Sequence, residues 1–140
     1  MEILLVEDNE ILAKGIIYSL EQEKFEVIHK TNVKETIKFL EREKTKLIIL
    51  DISLPDGNGF DLYKENIKDK NIPTIFLTAK DDEKDMLKAF DTGADDYVVK
   101  PFSIKVLLKR IEVVLKRKSN ENIFMCGQVM LYSDRKQVFV

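Results

Sequence analysis

Leu47-Ile48-Ile49-Leu50-Asp51-Ile52-Ser53-Leu54-Pro55-Asp56-Gly57-Asn58-Gly59 is the stretch on which the fold turns. Four apolar residues in a row lead straight into an aspartate and then into Pro-Asp-Gly. A strand with one face in water alternates apolar and polar side chains, whereas a strand covered on both faces is apolar throughout. Leu47–Leu50 is of the second kind, and the residues after it are turn formers. An aspartate at such a strand end is, taken alone, more often a cap or a solvated loop residue. Its meaning depends on what the other strands bring beside it.

On the N-terminal side, Ile3-Leu4-Leu5-Val6 and Phe25-Glu26-Val27-Ile28 are further short apolar runs. On the C-terminal side come Thr74-Ile75-Phe76-Leu77 and Tyr97-Val98-Val99. Segments of helical period fill the gaps. They are residues 10–22 (Leu12, Ile16, Leu20), 33–43 (Val33, Ile37, Leu40, with Asn32 as N-cap), 59–68 (Phe60, Tyr63, Ile67) and 83–91 (Met86, Ala89, Phe90). The last is 104–117, whose Ile104, Leu107, Leu108, Ile111 and Leu115 form a one-sided stripe after the N-cap candidate Ser103. Five strand–helix repeats predict an α/β fold, a doubly wound parallel sheet with helices on both faces. The flavodoxin-like (βα)5 order 2-1-3-4-5 suits five such units, although periodicity does not choose it.

Lys116-Arg117-Lys118-Ser119-Asn120-Glu121-Asn122 is polar, has no apolar repeat, and reads as a linker. Beyond it, Ile123-Phe124-Met125, Val129-Met130-Leu131-Tyr132 and Gln137-Val138-Phe139-Val140 read as a short β extension. So few residues bury no core of their own. The expected organisation is one domain over 1–118, a linker over 119–122, and the start of a second, incomplete domain over 123–140.

Composition narrows the class. Hydrophobic residues make up 44%, enough for one buried core, and the formal net charge of −2, with no long basic stripe, neither points to nucleic acid nor excludes it. The lone Cys126, without a thiol-enzyme motif around it, suits a reducing compartment and a structural role or none. No apolar run approaches the ~20 residues of a membrane span, and the chain begins on a strand rather than a signal peptide. The expectation is a cytoplasmic protein with no membrane contact.

Polar residues gather at the strand ends: Glu7-Asp8 after the first, Asp51 after the third, Thr78 after the fourth and Lys100 after the fifth. In an open α/β sheet these ends line one edge, and the crevice opens where the strand order reverses. Like charges about 4 Å apart repel by roughly 1 kcal/mol in water and about 4 kcal/mol at an effective dielectric of 20. Three clustered carboxylates therefore invite a cation, and their oxygen-only ligands point to Mg²⁺. A carboxylate is also a competent nucleophile toward phosphorus. Lys100 supplies positive charge and Thr78 a hydrogen bond for phosphoryl oxygens.

Leu5-Val6-Glu7-Asp8-Asn9, Leu50-Asp51 through Gly59, Leu77-Thr78-Ala79 and Lys100-Pro101-Phe102 resemble, in this order, the receiver domains of two-component response regulators. The resemblance covers residues 1–118. Gly93-Ala94-Asp95-Asp96-Tyr97 before Lys100-Pro101-Phe102 is similar to the OmpR/PhoB-type subfamily, and the strands after residue 122 to the N-terminal sheet of its winged-helix domain. The resemblance implies that Asp51 is the phosphoacceptor and that Asp8, Asp51 and the backbone carbonyl of Ser53 bind Mg²⁺. Glu7 would act through a metal-bound water. Thr78 and Tyr97 would be the switch pair, Lys100 the phosphoryl contact, and Pro101 would follow a cis peptide. It implies a sensor histidine kinase as donor, a homodimer on phosphorylation, control of transcription through DNA binding by the domain left incomplete here, and a protein that is not an enzyme.

The subfamily's three cross-subunit ion pairs carry over unevenly. Asp96 with Arg110 survives, Met86 and Val106 are apolar, and Asp91 with Glu112 would repel. His29 reads as lying away from the site, Phe102 as core, and Lys80 either as a residue tuning hydrolysis or as a solvated lysine. Two other readings stand beside this one. An aspartyl phosphatase of haloacid-dehalogenase type shares the Asp, Thr, Lys and Mg²⁺ but places a second Asp where this chain has Ser53. A receiver-like module that is never phosphorylated would lack a site residue, and none is missing.

Overall fold

The apolar runs form one twisted parallel sheet, and their alternate residues feed two different layers. The computed structural model describes residues 2–79, 87, 95–100 and 103–123. In chain order these give β1 (Glu2–Val6), α1 (Glu10–Gln22), β2 (Glu26–Lys30), α2 (Val33–Arg42), β3 (Leu47–Asp51), β4 (Ser53–Leu54), β5 (Gly57–Asn58), α3 (Gly59–Leu62), β6 (Thr74–Ala79), β7 (Asp96–Lys100) and α4 (Ile104–Ile123). The sheet order is β2-β1-β3-β6-β7, all parallel, which is the 2-1-3-4-5 order of the five long strands.

Because successive strand side chains point to opposite faces, Leu4, Val6, Ile48, Leu50 and Phe76 enter the layer shared with α2 and α3. Ile3, Leu5, Ile49, Ile75 and Leu77 enter the layer shared with α1 and α4. Ala13, Ile16 and Leu20 of α1 and Leu107, Ile111 and Val114 of α4 complete the second layer. Leu47–Leu50 is wholly buried, as a strand covered on both faces must be.

The helix starts are capped by side chains. Asn9 accepts from the Leu12 N–H at 3.1 Å and Asn32 from the Glu35 N–H at 2.8 Å. After α3 the chain tightens into a π turn (Tyr63–Ile67) and a 3₁₀ turn (Lys68–Lys70), ending at Asn71 in the left-handed region. The reading placed one helix over 59–68. The inward positions Phe60, Tyr63 and Ile67 are the expected ones, and no residue marks the change of hydrogen bonding.

Two further differences stand out. β4 and β5 form a small antiparallel hairpin that the sequence reading does not contain. α4 runs on to Ile123, through the residues read as a linker and onto the residue read as opening a strand. Residues 116–122 carry no Gly or Pro, and Lys116, Arg117, Lys118 and Glu121 propagate helix well, so polarity alone does not end it. Of the helix expected over 83–91, Leu87 is described, helical and exposed, while Met86 and Asp91 lie outside the described residues. So do Lys80, Pro101, Phe102, Cys126 and the expected strands after Ile123. No helix among the described residues is long and apolar enough to cross a membrane.

Candidate functional site

The carboxyl ends of β1, β3, β6 and β7 converge because their registers end together. Val6 pairs with Leu50, so the next residues, Glu7 and Asp51, are neighbours. Asp51 pairs with Leu77, and Thr78 and Ala79 pair with Val99 and Lys100. The Lys100 ammonium lies 3.1 Å from Glu7 Oε1 and 3.3 Å from Asp51 Oδ1. The other Glu7 oxygen accepts from the Asn9 N–H at 3.0 Å. Glu7 is fully buried and Asp51 nearly so, whereas Asp8 is exposed at the mouth.

Among the described residues, one ammonium faces three carboxylates. Burial first, then repulsion by Glu7, pushes Asp51 up to about 7, against the lowering influence of Lys100. Burial pulls the Lys100 ammonium down, but the attraction of Asp51 and Glu7 outweighs it and leaves its pKa raised. The site thus has an excess of negative charge in a place that solvates charge poorly. Each of Glu7, Asp8 and Asp51 offers an oxygen within 4.8 Å of the others. Such an all-oxygen donor set suits a hard divalent cation. The Thr78 hydroxyl is buried and, among the described residues, has no hydrogen-bond partner.

The structure therefore brings Glu7, Asp8, Asp51, Thr78 and Lys100 to one edge. Ser53 sits in β4, two residues beyond Asp51. Tyr97 is half-buried in β7, beside Phe76 in the ladder, and packs against the α2–α3 layer.

His29 is a correction: it does not lie away from the site. Its Nε2 is 2.8 Å from the Glu7 carbonyl oxygen, so this nitrogen carries the proton. Parallel pairing of β2 with β1 sets Leu5 opposite His29, and the ring reaches across to the first carbonyl beyond β1. Strand adjacency in the expected 2-1-3 order is the signal that would have found it.

Asp56 also reaches a distant part of the chain. Its carboxylate accepts from the Val33 N–H at 2.7 Å and the Lys34 N–H at 3.1 Å, gripping the start of α2. These bonds, Val33's first, hold its pKa below the usual carboxylate range.

On the face expected to pair subunits, the ion pairs seen are within the chain. Arg110 reaches both Asp96 carboxylate oxygens within the same chain, at 3.2 and 3.1 Å. Glu112 points the other way, into a groove with Glu23, Phe25 and Leu108, and pairs with Lys109 of its own helix at 3.1 Å. It does not share a face with Arg110, and Asp91, its expected opposite, lies outside the described residues.

A five-stranded parallel sheet with an acidic, cation-seeking pocket at the point where strand order reverses is a doubly wound α/β protein with its site at the expected edge. The chain belongs to the response regulator receiver family: the model of the response regulator receiver domain matches residues 3–112. It is 35% identical over 139 residues to the response regulator ArlR of Staphylococcus saprophyticus, covering 99% of this chain and 63% of ArlR. It is 35% identical over 143 residues to the transcriptional regulatory protein BasR of Escherichia coli, covering 100% of this chain and 64% of BasR. The chain thus spans under two thirds of the length of these relatives. Among solved structures, the non-phosphorylated HemR receiver domain of Leptospira biflexa superposes with a TM-score of 0.75 at 35% identity, covering 94% of this chain and 98% of that one.

Proposed function

We propose that this chain is the phosphoryl-accepting part of a transcriptional response regulator of OmpR/PhoB type, with Asp51 as acceptor. The observation that carries the reading is the buried Asp51 carboxylate, held against Lys100 in a carboxylate cluster that one ammonium leaves undercompensated. A carboxylate oxygen of Asp51 attacks the phosphorus of a phosphohistidine on a sensor kinase. The phosphorus–nitrogen bond breaks and the imidazole leaves with the bonding pair. Lys100 balances charge on the phosphoryl oxygens, and the Thr78 hydroxyl, without a partner among the described residues, donates to them. Asp8, Asp51 and the Ser53 carbonyl would hold Mg²⁺, which supplies charge neutralisation for the incoming phosphoryl group. Glu7, with one oxygen engaged by Asn9 and the other facing Lys100, acts from behind these ligands.

Drawing Thr78 toward the phosphoryl group frees space beside β7, and Tyr97 turns further inward. This two-state element changes the surface of β7 and α4. The altered face favours a homodimer and pairs two DNA-binding domains, which the strands expected after Ile123 begin.

Acetyl phosphate with Mg²⁺ should add one phosphoryl group to the wild-type chain and none to Asp51→Asn, read by intact mass. Equal labelling of both would remove Asp51 from its role. Steady turnover of generic phosphate esters would point instead to a phosphatase.

A further inference from the structure

The loop that leaves Asp51 is fixed at two points. At its base, the Gly59 N–H donates to the Ile52 carbonyl at 2.7 Å. The return is so close that a side chain at Gly59 would meet the Asp51 carbonyl oxygen at 2.5 Å. At its tip, Asp56 crosses to the first turn of α2. Gly57 lies against the same turn, with Val33 Cγ2 3.0 Å from where a Cβ would stand. Between these points the β4–β5 pairing sets Ser53 opposite Asn58, and Leu54 opposite Gly57.

The first four N–H groups of a helix have no partner within it. In α2 three of them are satisfied by side chains, and the work is divided. Asn32 serves Glu35. Val33 and Lys34 are served from outside, by Asp56. A carboxylate is also favoured there by the helix dipole. Asn32 already caps this helix, so the Asp56 carboxylate, arriving from 23 and 22 residues away, also ties the loop to the helix start.

We propose that Asp56 is a positioning residue for the acidic site, using the rigid start of α2 as an anchor that holds the β4–β5 hairpin, and with it the Ser53 carbonyl, in place for a divalent cation. This rests on the reading that Asp51, Asp8 and the Ser53 carbonyl bind Mg²⁺. The cation needs its oxygens prearranged, and a hairpin freed at its tip presents Ser53 over a range of positions.

Calorimetric titration of Mg²⁺ into the unphosphorylated chain tests this, with thermal midpoints measured beside it. Asp56→Ala should weaken Mg²⁺ binding by about tenfold, the lower end of the range for residues that orient metal ligands. Asp56→Asn, which keeps one acceptor for Val33, should fall between it and wild type. Asn32→Ala removes the cap of the same helix without touching the loop. It should lower the midpoint and leave the Mg²⁺ constant at its wild-type value. If wild type binds Mg²⁺ and both Asp56 variants match it, the positioning role is wrong. If Asn32→Ala weakens binding as much as Asp56→Ala does, the contact serves only the stability of α2, and the role is again wrong. If wild type binds no Mg²⁺, the underlying site reading fails and takes this inference with it.

Discussion

With its pKa at about 7, folded Asp51 keeps its proton over a range in which the unfolded chain, at the ordinary value of 3.8, has released it. Where the folded state binds more protons, stability falls as pH rises. The Asp51 contribution is therefore neutral below about pH 4 and becomes a growing penalty up to about pH 7. Asp51→Asn removes that penalty while keeping the shape. Its thermal midpoint should exceed wild type by roughly 5–10 °C at pH 7.5, and the gap should close toward pH 4. Added Mg²⁺ should narrow the gap at pH 7.5 by stabilising wild type alone. A gap independent of pH would show that Asp51 titrates normally. The acid cluster itself was legible in the sequence, since strand ends of a parallel sheet share an edge. The grip of Asp56 on α2 and the reach of His29 to Glu7 were not. Each joins residues more than twenty positions apart through a side chain whose direction no pattern of apolar residues encodes.

Among the elements, the strands followed from runs of apolar residues, because burial on both faces leaves a plain signature; their order came from what suits five strand–helix units and not from the runs. Boundaries followed where a cap was written into the chain, as at Asn9 and Asn32. They failed where hydrogen bonding changes without a change of residue type, as in the π turn at Tyr63–Ile67. They failed again where polarity was taken for a linker. In a run of polar residues the helix depends on backbone propensity, so a proline should end it there. Ser119→Pro removes a main-chain donor and clashes with the carbonyl four residues earlier. It should reduce far-ultraviolet helical ellipticity by the share of the last one or two turns, yet lower the thermal midpoint by no more than about 2 °C. A large drop in midpoint would mean that these turns pack against something that stabilises the whole domain.

At the level of the whole molecule, the face of α4 beside β7 carries Val106 and Val113, 47% and 40% exposed, on either side of Arg110. Arg110 is already engaged with Asp96 of its own chain, and an exposed pair of this kind contributes about 0–1 kcal/mol. If the phosphorylated chain self-associates through this face, apolar burial at roughly 25 cal/mol per Å² has to supply most of the attraction. Val106→Asp and Val113→Asp should each weaken the phosphorylated dimer about tenfold in sedimentation. Glu112→Lys, on the far side of the helix, should leave it unchanged; a strengthened dimer would restore Glu112 to the interface. The chain has no tryptophan and a single histidine, and that histidine rests on the backbone of Glu7. Its imidazole resonances are therefore unique in a proton–carbon spectrum, need no assignment by mutagenesis, and sit one peptide unit from the acid cluster. The protein carries its own magnetic label for the filling of that pocket.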